Sequence, residues 1–313
     1  MSFVLIGLGS NLGDRADVLD SALAQLSDHA NIDVVARSRW QGTPPIGGPP
    51  GQGEFLNGAA YLHTTLSPEE LLAELLQTEK ALGRERTERW SARQLDLDLL
   101  LYDDLVVDSP PLQIPHPRMT FRRFVLSPAV EVAPQMVHPL NKWTIDQLWR
   151  NLNTKKKFVA IAGGTADFRR DMAKDLCDQV GGKFLSCLTG ATGRSKNDAL
   201  ELCRRNAEAL NDAVSSDNEA WTVGDFWFDA LPDELTQSNV EATQLRHCRE
   251  FVAVRSTVAK PKILFLFESA SEQGEQLRRI AFHPDCGPSL VLDTEDPDTA
   301  LIEMAAAIEA MME

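Results

Sequence analysis

A chain of 313 residues exceeds the roughly 100 to 200 residues of one ordinary domain, so two cores are expected. With 43% hydrophobic and 25% charged residues, and no apolar run near the ~18 residues of a membrane span, the composition excludes a helical membrane protein and a disordered chain. The net charge of -15 is shared by both halves and excludes a nucleic acid or an anionic membrane as main partner, although small phosphates can still bind locally.

The opening Met1-Ser2-Phe3-Val4-Leu5-Ile6 has no basic region and no small-residue cleavage site, so it reads as a first strand of a cytoplasmic protein. Strand-like runs at 3–8, 59–64 and 95–102 alternate with helix-like segments, which predicts an α+β sandwich. Between the first two runs, 42–53 holds nine Gly or Pro among twelve residues and reads as a long functional loop with no regular structure. Phe55 and Asn57 follow it: a flat ring and an amide that both donates and accepts, suited to a planar heterocycle, or else an ordinary strand start.

Ser67-Pro68-Glu69-Glu70 supplies an N-cap, a first-turn proline and a capping-box glutamate, so a helix starts at Pro68. Its apolar stripe is expected through Leu72, Leu75 and Leu76 toward Leu82, with Gly83 as a left-handed cap. Glu79 falls on that stripe. A carboxylate there either snorkels near the helix end or faces a ligand pocket.

The segment Arg89-Trp90-Ser91-Ala92-Arg93-Gln94-Leu95-Asp96-Leu97-Asp98 carries the densest chemistry. In a strand Leu95, Leu97 and Leu99 point to one face and Asp96 and Asp98 to the other. Two like charges two residues apart repel, so a cation belongs between them, and magnesium takes such carboxylates together with phosphate oxygens. The other reading is the exposed face of an edge strand. Arg84, Arg86, Arg89 and Arg93 crowd a half whose lysines are Lys80 and Lys142, and arginine suits bidentate phosphate contacts. Pro115-His116-Pro117-Arg118-Met119-Thr120-Phe121-Arg122-Arg123-Phe124 adds a histidine, three arginines and aromatic rings.

Taken in order, Gly9-Ser10-Asn11-Leu12-Gly13, Thr43-Pro44-Pro45, Phe55-Leu56-Asn57, Arg89-Trp90, Arg93, Leu95-Asp96-Leu97-Asp98 and Pro115-His116-Pro117 resemble the motifs of 6-hydroxymethyl-7,8-dihydropterin pyrophosphokinase over residues 3–150. The resemblance implies a ferredoxin-like sandwich in which ATP, as co-substrate, and two Mg2+ ions meet the pterin between loops. Asp96 and Asp98 would hold both metals. The pterin would stack between Phe55 and Phe124, its edge read by Asn57 and the backbone near Thr43, Pro45 and Ile46. Glu79, Arg84, Arg93, His116 and Arg122 would contact the nucleotide, while Arg89, Trp90 and Arg93 would serve catalysis from a closing loop. Two departures stand out: Ser91-Ala92 where the family usually has Gly-Pro, and Arg123 where glycine is common.

A polar, basic stretch at 149–157 separates this part, residues 1–152, from a second one, residues 157–313. There, runs at 158–162, 263–267 and 289–292 read as buried strands between helices, with an Ala- and Met-rich helix from Asp298, which predicts a parallel α/β sheet. All five cysteines (Cys177, Cys187, Cys203, Cys248 and Cys286) lie here without zinc spacing and read as reduced, mostly buried thiols. Phe158-Val159-Ala160-Ile161-Ala162-Gly163-Gly164-Thr165 has the layout of a strand entering a phosphate-binding loop. Phe168, Arg169 and Arg170 then stand where such a loop needs its second glycine, its lysine and its hydroxyl. With Trp221-Thr222-Val223-Gly224-Asp225-Phe226-Trp227-Phe228, this half faintly resembles a decayed P-loop deoxynucleoside kinase. Two readings follow: a non-catalytic scaffold, through which a second copy of the chain forms a homodimer, or a bifunctional enzyme that also phosphorylates a nucleoside.

Overall fold

The computed structural model describes residues 1–47, 51–83, 93–186, 196–215, 219–227, 246, 260–267, 287–293 and 295–312. They divide into two compact units, one from Met1–Leu152 with Ala306–Glu313 and one from Asn153–Ala305.

In the first unit, β1 (Ser2–Ser10), α1 (Arg15–Ser27), β2 (Ile32–Arg37), β3 (Gln41–Thr43), β4 (Phe55–Thr64), α2 (Pro68–Ala81) and β5 (Asp96–Tyr102) build one antiparallel sheet and a helix pair. The strand order is β2-β4-β1-β5, with β3 adding to β4. The Gly/Pro-rich segment is thus not irregular from its first residue, because Gly42 and Thr43 pair with Leu56 and Phe55.

Alternation along β1 decides the layers. Val4, Ile6 and Leu8 face α1 and α2 in a core with Leu19, Leu23, Leu26, Leu71, Leu75, Leu97 and Leu99. Leu5, Gly7 and Gly9 face the other way, where α3 (Arg123–Val132) packs on β4 and β1 and then on α4 (Ile145–Leu152). A short hairpin, β6 (Val107–Ser109) with β7 (Leu112–Ile114), and a 3-10 turn at Met119–Phe121 lead from β5 into α3.

Helix α2 starts where its capping box requires: Ser67 Oγ accepts from the Glu70 amide at 3.2 Å, and the Glu70 carboxylate accepts from the Ser67 amide at 2.7 Å. Gly83 follows its end with φ of 89°. The buried face differs from the expected stripe. Leu71, Leu75, Thr78 and Glu79 are buried, whereas Leu72 and Leu76 are only half-buried, because α2 lies along β5 as well as on α1.

The second unit places β8 (Phe158–Gly163), β9 (Lys183–Leu185), β10 (Thr222–Gly224), β11 (Ile263–Phe267) and β12 (Ser289–Leu292) in a parallel sheet of order β12-β11-β8-β10-β9. Helices α5 (Ala166–Val180) and α6 (Lys196–Ser215) belong to this unit among the described residues, as does the first part of α7 (Pro297–Met312), whose residues from Ala306 are grouped with the first unit. Every residue of β8 is buried, as a strand covered on both faces must be. No described helix is long and apolar enough to cross a membrane.

Candidate active site

The sheet face opposite α1 and α2 carries the polar residues. Gly9 of β1 pairs with Asn57 on one side and with Asp96 on the other, and Gly7 pairs with Ala59 and Asp98. Paired residues of adjacent strands share a face, so Asn57 and Asp96 flank a central strand that has no side chain between them. The absence is required at Gly9, since a Cβ there would sit 2.9 Å from Asn57 Oδ1. Asn57 is buried, and its Nδ2 donates to Thr43 Oγ1 at 2.8 Å, tying the strand to the start of the Gly/Pro-rich loop. Phe55 shares that face and is half-buried, as are Pro45 and Ile46 on the loop. Gln41 pairs with Asn57 and accepts from Ser127 Oγ at 2.7 Å, which lays α3, with the half-buried Phe124 in its first turn, over the same face.

Asp96 and Asp98 alternate with buried Leu97 and Leu99 as the period of two requires. Arg93 Nη1 holds Asp96 Oδ2 at 2.7 Å with both side chains largely buried. On the free edge of β5, the Leu97 amide donates to Glu79 Oε1 at 2.7 Å, so the buried glutamate of α2 holds the strand between its two aspartates. The segment after β7 hangs on that strand too, through the His116 amide to the Leu100 carbonyl at 2.9 Å.

His116 Nδ1 accepts from the Arg118 amide at 3.1 Å, which leaves the ring proton of the neutral imidazole on Nε2. Burial, and then the Arg122 and Arg118 charges, push its pKa down to about 3 against a smaller upward pull from Asp96. Burial also lowers Arg122, to about 10, while Asp98 and Asp96 raise it and Arg118 and Arg93 lower it. Arg93 and Arg122 thus face the two carboxylates, with Arg118 beside Arg122. Their sum, +1, suits an incoming polyphosphate, and the low local dielectric strengthens each contact. Arg122 also lies over the Phe124 ring at 5.4 Å. Arg123, the departure from the family's glycine, packs on the Trp149 ring at 5.0 Å and joins α3 to α4.

Sequence reasoning missed two residues that belong here. Arg118 was visible only as one of three arginines in its stretch, and its place beside His116 and Arg122 follows from the turn at 115–118. Asn11, in the Gly-Ser-Asn motif, is buried and bonds to segments on both sides of the site. Arg84, Arg89 and Trp90, with Ser91 and Ala92, lie outside the described residues. Among the described residues no group of three or more His, Cys, Asp or Glu side chains comes together; Asp96 and Asp98 are two carboxylates on one face of β5.

A family model described as 7,8-dihydro-6-hydroxymethylpterin-pyrophosphokinase (HPPK) matches residues 5–134, which span this face from β1 to the end of α3. The 2-amino-4-hydroxy-6-hydroxymethyldihydropteridine pyrophosphokinase of Synechocystis sp. is 44% identical over 144 residues, 46% of this chain and 73% of its own length. The chain belongs to the HPPK family. The Bacillus subtilis protein of the same name is 39% identical over 158 residues and is covered to 94%, against 49% of this chain. The HPPK match therefore concerns the first unit. A Plasmodium falciparum HPPK-DHPS crystal structure with STZ-DHP covers 93% of this chain and 80% of its own at 12% identity, with a TM-score of 0.39, too low to show a shared fold.

Proposed function

We infer that the chain transfers a pyrophosphoryl group from ATP to the hydroxymethyl arm of 6-hydroxymethyl-7,8-dihydropterin, releasing AMP, in folate biosynthesis. The observation that carries this reading is the row Asn57, Gly9, Asp96 across three strands, with Arg93 and Arg122 facing Asp96 and Asp98 and Arg118 beside Arg122, in a member of the HPPK family.

The order β2-β4-β1-β5 with α1 and α2 on one face supports a ferredoxin-like sandwich. Asn57 and the backbone near Thr43, Pro45 and Ile46 read the pterin edge, and Phe55 and Phe124 enclose its ring. Arg93, Arg122 and His116 bind the nucleotide, with Glu79 close by on the β5 edge and Arg84, Arg89 and Trp90 contributing from the adjoining segment. His116 acts as a neutral donor from Nε2, not as a cation, because its pKa lies far below neutrality. Asp96 and Asp98 are hard oxygen donors on one face of β5 and would hold the two Mg2+ ions. When bound, magnesium neutralises charge on the phosphates. The pterin hydroxyl attacks the β-phosphorus and AMP leaves, so the residues position the reactants and stabilise spreading charge without a covalent nucleophile. The test is a coupled assay: AMP should form from ATP only with the pterin alcohol and magnesium both present, and ADP in its place would sink the reading.

For residues 157–313, which contain most of the second unit, we propose a P-loop-kinase-like sheet that no longer binds nucleotide. Its strand order β9-β10-β8-β11-β12 supports this reading, since β8, the first strand in sequence, stands at a switch point where the following loop, 163–165, would be the phosphate-binding one. That loop is turned the wrong way. Arg169 is buried and its Nη1 donates to the Gly163 and Gly164 carbonyls at 3.2 and 3.1 Å, while Nε donates to the Asp225 carbonyl at 2.9 Å. Carbonyl oxygens that solvate an internal cation repel a phosphate, and Phe168 packs edge-on against Phe267 at 4.9 Å where a glycine would admit one. A scaffold or dimer-forming role, inside the cytoplasm, fits these residues better than nucleoside phosphorylation.

A further inference from the structure

Helix α3 carries Phe124 over the polar sheet face, yet the helix alone holds that ring weakly. It opens on Arg122 where a capping Ser, Thr, Asp or Asn would stand, and Arg122 and Arg123 bring positive charge to the end whose dipole favours anions. Pro128 has no amide to donate to the Phe124 carbonyl four residues earlier. The bracing comes from the sheet instead. Phe124, Ser127 and Glu131 are spaced three and four residues apart and share one helix face. Gln41 reaches two of them: its Oε1 accepts from Ser127 Oγ at 2.7 Å, and its Nε2 donates to Glu131 Oε1 at 3.0 Å. Glu131 also accepts from the Arg39 amide at 3.1 Å and from Arg39 Nη2 at 3.0 Å, which fastens the helix to the same short segment again. In the β3–β4 ladder Gln41 is the partner of Asn57, and Thr43 is the partner of Phe55, so these four residues share one face of the sheet.

We propose that Gln41 is a positioning residue that sets the width of the pterin slot, the gap between Phe124 on α3 and the sheet face that carries Phe55 and Asn57. The inference rests on the functional reading above and deepens it. An amide is the side chain the geometry calls for, because it accepts from a hydroxyl and donates to a carboxylate at once. A carboxylate there would repel Glu131, a hydroxyl is too short to reach both partners, and an aliphatic chain bonds to neither. Two bonds one helical turn apart fix the rotation of α3 as well as its distance from the sheet. Gln41 acts on the stacking ring through α3 and on Asn57 through the ladder. Its loss is therefore felt as a misplaced pterin and not as a changed phosphate site.

The experiment is steady-state AMP formation by the full chain with magnesium, the KM of hydroxymethyldihydropterin and that of ATP being measured separately, beside thermal melts. Gln41→Leu keeps the volume and removes both bonds. It should raise the pterin KM by about tenfold, the scale of one or two lost hydrogen bonds, and the ATP KM by less than about twofold. Ser127→Ala deletes one bond and introduces a better helix former, which keeps the test open if Gln41→Leu folds poorly; it should raise the pterin KM by about threefold. The double variant should add little to Gln41→Leu alone, because both changes remove the same bond. A merely structural role would lower the melting temperature and the active fraction without separating the two KM values. An unchanged pterin KM in both variants, or an equal rise for ATP, with AMP formed by the native chain, would overturn the role of Gln41 and leave the activity standing. A native chain that forms no AMP from the pterin and ATP would overturn the reading beneath it as well.

Discussion

Two places in this chain set arginine beside a glycine-containing turn, and they use it oppositely. In the first unit Arg93 and Arg122 answer carboxylates, Asp96 and Asp98, that project from a strand beside the glycines of β1. In the second, Arg169 answers the carbonyl groups of its own loop and of Asp225. Carboxylates can exchange an arginine for a metal ion and pass it to a phosphate, since each partner gains a new counter-charge. Backbone carbonyls cannot, because releasing the guanidinium would strand both the cation and its acceptors away from water. What an arginine is bonded to, more than its place in a motif, separates a phosphate site from a filled one.

The largest expected effect tests the first half of that contrast. Replacing Asp98 with Ala should lower AMP formation by about a thousandfold or more, a loss in the range attributed to removing a preorganised electrostatic contact, while the folded state survives because like-charge repulsion is relieved. Asp96→Ala should act similarly in turnover but be less stable, since it leaves the largely buried Arg93 without its carboxylate. Steady-state AMP release and thermal melts separate the two, and near-normal turnover in both variants would place the metal elsewhere.

Next in size, Arg169→Ala should destabilise the second unit by about 3 kcal/mol or more, because three carbonyls lose a charged donor in a buried position. Pyrophosphoryl transfer should be unaffected in the fraction that remains folded. Urea unfolding followed alongside the AMP assay checks both statements. A variant that gained micromolar ATP binding would show that the plug alone, and not the loop, had closed the site.

The smallest effect is a slope. His116 and His138 are each pushed down to about 3, in both cases chiefly by burial, with Arg122 and Arg118 adding to the first and Lys142 to the second. A histidine whose folded pKa lies below its unfolded value contributes stability that is full above pH ~6.5 and drains as pH falls toward 3, at about 1.4 kcal/mol per pH unit for each ring. Denaturant unfolding at pH 7, 6 and 5 should show this loss. His138→Asn should roughly halve the slope, and bound ATP should flatten the part due to His116, since phosphate charge favours the imidazolium. Equal flattening in a His116→Asn variant would show that the nucleotide acts through another group.

The residues most legible beforehand were those whose local period forces their direction. Asp96 and Asp98 had to share a face opposite Leu97 and Leu99 once β5 was a strand, and Ser67 to Glu70 had to open α2. The faces of α2 were less legible, because its burial is set by β5, whose partners lie far along the chain. Glu79 shows the difficulty: spacing left it between two readings, and its bond to the Leu97 amide arises from a tertiary contact that no helical period encodes. Arg118 and Asn11 carry no periodic signal: the first lies in a local turn that brings its amide onto His116, and the second at a strand end whose contacts reach Gln52 and Arg93. In the second half β8, β11 and β12 were legible as buried apolar runs, whereas β9 and β10, three residues each, were not. The strand order was not legible either, since parallel strands of similar composition can be arranged in several ways.

The bond from Leu97 to Glu79 also bears on how this protein behaves in a crowded solution. β5 is the outer strand of its sheet, and an outer strand with unsatisfied amides is a template on which a foreign strand can grow. Here one such amide is already held by a buried carboxylate, and the neighbouring Leu100 carbonyl is held by the His116 amide. The contacts that align the aspartates therefore also deny the strand to an intruder, so protection against self-association comes from the same bonds that shape the site.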